Sequence, residues 1–258
     1  MDFAIIGGTG FGQPTEAGMA SQQVITPYGE VQLFLLEREG LRVAFLPRHG
    51  PDQALPPHRI NYRANIAALR ELGVKNILAS ASVGSLNDYM RPGQLAILTQ
   101  FLDFTHSRPS TFYEGDGEVV HVDMSVPYCP KLQLQLTEAG TRADADFHPS
   151  AVYVCTQGPR FETPAEIRMF RQLGADLVGM TGLPEAVLAR EAGLCYASLA
   201  VICNWAAGVV AAPVSHQEVT EFMTKHIHLV EELFWSVIHS HQEADCPCRH
   251  AAEEGRMV

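Results

Sequence analysis

The chain has 258 residues, 47% of them hydrophobic and 18% charged, so it can bury a substantial core and is neither a disordered chain nor a coiled coil. Eighteen Lys and Arg against twenty-nine Asp and Glu leave a formal net charge of −11, the wrong sign for a surface that tracks a phosphate backbone, which argues against nucleic acid as a partner. No apolar run of about 18 residues occurs, Met1-Asp2-Phe3-Ala4-Ile5 lacks the basic flank of a secretory leader, and the cysteines show no disulfide-scaffold spacing, so a cytoplasmic protein with no membrane partner and no catalytic thiol is expected.

Asp2 to Ile6 is a short apolar run that stops at Gly7-Gly8-Thr9-Gly10, the pattern of a buried strand entering a tight loop. Val31 to Leu36 and Arg42 to Leu46, split by a charged turn with Gly40, predict a hairpin. Pro56-Pro57 opens a helix with apolar Ile60, Ala64, Ala67, Ala68 and Leu72, stopped by Gly73, and a strand from Val74 to Ser80 follows. The order then repeats: strand Ala151 to Thr156, helix Pro164 to Leu173, strand Asp176 to Gly179, helix Pro184 to Ala192, strand Cys195 to Cys203. Such alternation predicts an α/β fold with a largely parallel central sheet flanked by helices.

Ser215-His216-Gln217-Glu218 has the form of a capping box, and Val219, Phe222, Met223, Val230, Leu233 and Val237 continue behind it at helical spacing, so a long C-terminal helix is expected. No apolar period follows His241, which divides the chain into one domain over 1–241 and a flexible tail over 242–258. His239, His241, Cys246, Cys248 and His250 are metal-ligand types, but their spacing matches no standard zinc pattern, and no metal is expected.

In α/β sheets the ligand crevice lies beyond the C-terminal ends of the strands. Gly8-Thr9-Gly10 offers backbone N–H groups and the Thr9 hydroxyl to an anion. A dinucleotide fingerprint is disfavoured, because Gln13 stands where the last glycine of Gly-x-Gly-x-x-Gly belongs and no helix pattern follows. Pro47-Arg48-His49-Gly50 ends another strand, and the Arg48 fork suits phosphate through paired hydrogen bonds; a surface ion pair with a solvated His49 is the alternative. Ser80, Ser82, Gly84 and Thr181 fall at further strand ends, completing a phosphate cradle of hydroxyls, glycines and one Arg.

Six ordered segments carry a family resemblance: Ile5 to Gly10, Pro47 to Gly50, Asn61 to Asn65, Gln157 to Glu162, Gly179 to Glu185 and Ala189 to Gly193. From Phe3 to about Val237 the chain resembles the trimeric purine nucleoside phosphorylase and methylthioadenosine phosphorylase family. The resemblance implies a phosphorylase-type single domain with a mixed central sheet, and phosphorolysis of a purine N-glycosidic bond with inorganic phosphate as co-substrate and no cofactor. It implies phosphate contacts from Thr9, Arg48, His49, Ser82 and Thr181, with Ser82 replacing a Thr hydroxyl that the family commonly supplies one position earlier, at Ala81 here. It implies further a homotrimer with sites at subunit interfaces, where His121 reaches a neighbour's ribose pocket. Some heat-adapted relatives also carry a C-terminal Cys-x-Cys, which leaves a redox pair open for Cys246-Pro247-Cys248 beside a reducible tail.

The base is read by donor and acceptor counts. Relatives acting on 6-aminopurines carry Asp where this chain has Asn204, and a second Asp where it has Ala206. An amide can donate to a 6-oxo group while its carbonyl accepts from N7–H, and Glu162 would accept from N1–H, a group adenine lacks. Glu162 could instead cap the helix near Pro164, and Asn204 could close a turn. Phe161 and Met180 are expected to pack on the ligand, and His216 falls where the inosine and guanosine enzymes hold the ribose 5′-hydroxyl. The resulting expectation is a 6-oxopurine nucleoside phosphorylase with Asn204, Glu162, Arg48 and His49 as catalytic residues. A methylthioinosine or methylthioadenosine phosphorylase and a catalytically silent purine-binding module are the alternatives.

Overall fold

The computed structural model describes residues 1–8, 20–115 and 117–257, with His216 described in its backbone only. Strand β1 (Phe3–Gly7) is buried along its whole length, as a strand covered on both faces must be. It lies between β4 (Leu41–Pro47) and β5 (Asn76–Ser85), parallel to both. The predicted hairpin is present: β3 (Gly29–Arg38) pairs antiparallel with β4, Glu37 opposite Arg42. An edge strand, β2 (Ala20–Thr26), extends it. Only Val24 and Thr26 of β2 are buried, so its sequence carries almost no apolar signal.

Helix α1 (Tyr62–Glu71) begins later than the proline pair suggests, because Pro57–Arg59 forms a separate 3-10 turn and Asn61 caps the helix by accepting from the Ala64 N–H at 3.1 Å. It ends at Gly73, whose φ of +74° only glycine adopts cheaply. Strand β5 runs five residues beyond Ser80. After a short turn comes β6 (Leu95–Phe104), then α2 (Pro130–Arg142) and β7 (Phe147–Thr156). Helix α3 (Pro164–Gln172), β8 (Leu177–Gly179), α4 (Glu185–Glu191), β9 (Cys195–Trp205) and α5 (His216–Ser240) complete the predicted alternation.

Among the described residues nine strands form one mixed sheet, less parallel than expected: β1–β4, β1–β5, β5–β9, β6–β7 and β7–β8 are parallel, whereas β2–β3, β3–β4, β5–β8 and β6–β9 are antiparallel. The reversal has a local cause. No helix separates β5 from β6, so the chain turns back and β6 must run against β5 and its parallel neighbour β9. As β9 also pairs with β5, strands β5, β8, β7, β6 and β9 close into a ring. Helices α1 and α4 pack Ile66, Leu69, Ala186 and Leu188 against one face of the sheet, and α2 and α5 pack Leu132, Leu136, Val230 and Phe234 against the other. Among the described residues no helix is long and apolar enough to cross a membrane.

The segment read as a flexible tail is folded onto the body. Cys246, Cys248 and Ala251 are buried, a 3-10 turn spans Pro247–Arg249, and α6 (Ala251–Glu254) follows. A few small buried side chains, the Lys75–Glu243 ion pair and backbone hydrogen bonds to Val119 and His121 hold it, none of which leaves an apolar period in the sequence.

Candidate active site

Residues at the C-terminal ends of β1, β4, β5, β8 and β9 line one cavity of about 580 Å³: Gly8, Arg48, His49, Ser82, Gly84, Met180, Thr181 and Asn204 among them, with Phe161 and Glu162 from the loop after β7. Strand β5 acts as a ruler through it, since alternate residues face one way and lie about 6.6 Å apart. At Ser80 the hydroxyl accepts from the Gly8 N–H at 3.1 Å and the carbonyl accepts from Arg48 Nη1 at 2.8 Å. At Ser82 the hydroxyl is buried and no strong hydrogen bond holds it; its polar neighbour is the thiol of Cys203. At Gly84 the strand is in register with Asn204, and a Cβ there would stand 3.3 Å from Asn204 Nδ2.

Arg48 is not the surface cation of the alternative reading. Its Nε and Nη2 donate to Glu185 Oε2 and Oε1, each at 2.7 Å, and Glu185 Oε1 also accepts from the Tyr196 hydroxyl at 2.7 Å. Burial alone would lower the Arg48 pKa, but the Glu185 charge and hydrogen bonds outweigh it and hold the group firmly protonated. Of the five N–H bonds of a guanidinium, Glu185 and Ser80 take three, which leaves one on each terminal nitrogen of Arg48 for a ligand. His49 Nδ1 donates to the Leu55 carbonyl at 2.8 Å, which fixes the ring.

The loop after β8 is held from beneath. The Tyr153 hydroxyl accepts from the N–H groups of Thr181 and Gly182 at 3.2 and 3.3 Å. Arg108, which sequence reasoning missed, donates to the carbonyls of Met180, Leu183 and Gln157 at 2.9, 2.6 and 2.7 Å. It thereby ties the segment carrying Met180 and Thr181 to the one leading to Phe161 and Glu162. Glu185 and Ser80 were missed as supports too; their partners are remote in sequence, and only the glutamate's place in the Gly179 to Glu185 motif pointed to it.

Glu162 is 9% exposed and accepts from Thr156 Oγ1 at 2.5 Å. Burial raises its pKa above the usual carboxylate value, partly offset by that hydrogen bond. It does not cap α3: Thr163 does, in a reciprocal box with Glu166. Nor does Asn204 close a turn, for it lies inside β9; its Nδ2 donates to the Trp205 carbonyl at 2.7 Å, and one N–H and the amide oxygen are left over.

Thr9 lies outside the described residues, as does the side chain of His216. The first turn of α5 nonetheless borders the cavity through Val219 and Thr220. His121 is not brought to this cavity: it is exposed, and its N–H donates to the Gly255 carbonyl at 2.9 Å.

A family model described as the Phosphorylase superfamily matches residues 2–239. A protein of Dictyoglomus turgidum described as a probable 6-oxopurine nucleoside phosphorylase is 49% identical, over 99% of this chain and 98% of its own. The 6-oxopurine nucleoside phosphorylase of Pyrococcus furiosus is 46% identical over 96% of both chains, and a probable S-methyl-5'-thioinosine phosphorylase of Methanothermobacter thermautotrophicus is 48% identical over 96% of this chain and 87% of its own. Methylthioadenosine phosphorylase from Schistosoma mansoni, solved with adenine, superposes with a TM-score of 0.94 at 31% identity over 99% of this chain and 98% of that one. Likeness over nearly the full length, in sequence and in fold, leaves one assignment: the chain belongs to the Phosphorylase superfamily.

Proposed function

We propose that the protein is a purine nucleoside phosphorylase that cleaves 6-oxopurine nucleosides with inorganic phosphate, giving the free base and ribose 1-phosphate. The observation that carries this reading is the sharing of one cavity by an amide and a buried carboxylate suited to a keto-purine edge and by a cluster of unspent donors suited to phosphate. The names of the relatives from Dictyoglomus turgidum and Pyrococcus furiosus agree with it.

In the proposed reaction a phosphate oxygen forms a bond to C1′ while the C1′–N9 bond breaks and its electron pair stays on the purine. The two remaining Arg48 N–H bonds, the Ser82 hydroxyl, His49, Thr181 and Thr9 hold phosphate close to C1′, a positioning effect worth up to about 7–11 kcal/mol in well-aligned systems. Asn204 donates toward O6 as charge builds on the leaving base and, as N7 takes up a proton from solvent, accepts from the resulting N7–H, while Glu162 holds N1–H; Phe161 and Met180 pack on the ligand. No cofactor is needed, because phosphate is the nucleophile.

A second reading has its own support. Val214 and Val219 line the cavity beside Thr220, and apolar groups suit a 5′-methylthio substituent, as in the substrate named for the relative from Methanothermobacter thermautotrophicus. Phosphate-dependent release of base from inosine, guanosine, methylthioinosine and methylthioadenosine, compared in one assay, separates the two. Release from neither inosine nor guanosine would overturn the proposal, and binding of hypoxanthine without any turnover would favour a purine-binding module.

A homotrimer with the cavities at subunit boundaries and a cytoplasmic setting belong to the same reading. Exposed Val119 and Val126 flank His121 and give its loop an apolar surface for a neighbour. Sedimentation equilibrium of the wild type and a kinetic comparison with His121→Ala test it.

A further inference from the structure

Four of the six cysteines meet on the far side of the molecule from the cavity. Cys129 stands at the N-cap of α2, Cys195 opens β9, and Cys246 and Cys248 flank Pro247 at the C-terminal turn. All four are buried, at 1, 2, 6 and 2% exposure, and their sulfur atoms lie within 4.8 Å of one another. Asn204 lies nine positions along the extended strand from Cys195, about 30 Å at the rise of a β-strand.

We propose that these four thiols bind a structural zinc ion as a tetrahedral tetrathiolate. A zinc–sulfur bond of about 2.3 Å places the four sulfur atoms at the corners of a tetrahedron whose edges are about 3.8 Å long. Cys129 Sγ and Cys246 Sγ are 3.8 Å apart. Four protein sulfurs and no open position make a closed site, the structural rather than the catalytic kind.

The surroundings suit the charge such a site carries. On binding, each thiol gives its proton to solvent, and four thiolates around one divalent ion leave a charge of 2−. The Nε of Arg249, next to Cys248 in the chain, is buried without a hydrogen-bond partner among the described residues. The tail's own ligand types show no zinc spacing because half of the set comes from elsewhere: Cys129 is 117 residues from Cys246. The ion would staple the C-terminal segment to the starts of α2 and β9, adding to the small buried side chains, the Lys75–Glu243 ion pair and the backbone hydrogen bonds to Val119 and His121 that already hold it.

The test uses the full chain, reduced and reconstituted anaerobically with zinc or cobalt. The expected result is about one zinc per chain after gel filtration, and cobalt protein with the visible bands and sulfur-to-metal charge transfer of a tetrahedral tetrathiolate. The double variant Cys246→Ser, Cys248→Ser is expected to lose the bound metal and to melt at lower temperature, with initial rates of phosphorolysis at low temperature unchanged. A chelator should lower the melting temperature of the wild type but not of this variant. Wild-type protein that retains no zinc and gives no tetrahedral cobalt spectrum overturns the proposal, as does peptide mapping that finds the four cysteines paired as disulfides in protein as purified. Because the cobalt spectrum reads metal and not turnover, failure here leaves the proposed phosphorylase reaction untouched.

Discussion

Arg48 and Glu185 face each other as a doubly hydrogen-bonded ion pair, both contacts 2.7 Å long, with side chains 2% and 0% exposed. A buried carboxylate on the far side of the guanidinium fixes its plane and leaves its remaining N–H bonds pointing where phosphate is proposed to sit. Glu185→Gln keeps the shape and removes the charge, so Arg48 is left buried without its counter-ion. Breaking a buried pair in this way typically costs about 3–5 kcal/mol. The expected outcome is a lower midpoint in urea unfolding together with a raised KM for phosphate. A variant with wild-type stability and unchanged phosphate saturation would show that the pair does neither job.

Ser82 is the opposite case. Its hydroxyl is buried and its polar neighbour is the thiol of Cys203, a weak partner, so the free protein gains little from it. Ser82→Ala is therefore expected to leave thermal stability unchanged or slightly raised. A hydrogen bond to a charged group is worth about 1.5–3 kcal/mol, so the KM for phosphate should rise by roughly 10- to 100-fold. Loss of stability without loss of phosphate affinity would mean that the hydroxyl serves the fold instead.

The difference between these two side chains shows which parts of the site a sequence discloses. Arg48 and Ser82 could both be nominated, because each ends an apolar run and strand ends are where ligands bind. Glu185 stood inside a recognised motif, but its partner lies 137 residues away, and nothing local announces such a pairing. Arg108 was silent for the same reason: its role consists of carbonyl contacts to two segments that lie 49 to 75 residues away. Among the elements, α2 was hidden by Leu132-Gln133-Leu134-Gln135-Leu136, which alternates like a strand although Leu132 and Leu136 are buried and Leu134 is 60% exposed. The helices with glycine stops and proline starts were legible because their punctuation is local.

Asn204 is in register with Gly84, and Val178 lies opposite the same glycine, so the amide has little room to move. Asn204→Asp preserves volume and replaces the NH₂ donor by an acceptor. Toward a 6-oxopurine this sets two acceptors face to face, and loss of a contact that stabilises developing charge costs about 2.7–4 kcal/mol. The kcat/KM for inosine should fall by roughly 100- to 1,000-fold, while that for a 6-aminopurine nucleoside rises. An unchanged ratio between the two nucleosides would remove the amide from base recognition.

Glu162 supplies the pH dependence. Burial raises its pKa above the ordinary value of 4.5, so the folded protein holds its proton at a pH where the unfolded chain has released it. The sign follows from linkage: in ligand-free protein the contribution of Glu162 to stability is present below the unfolded pKa and is lost as pH rises through the higher folded value. Acceptance of N1–H from the base demands the opposite, an ionised carboxylate. Affinity for hypoxanthine should therefore decline on acidification, beginning above the pH at which an exposed glutamate protonates, just where the free protein gains stability from the same group. Glu162→Gln imitates the protonated form and should flatten both curves, measured by calorimetric titration of hypoxanthine and by urea midpoints across that window. If the variant kept the wild-type pH dependence of hypoxanthine affinity, another group would have to be reading the N1 edge.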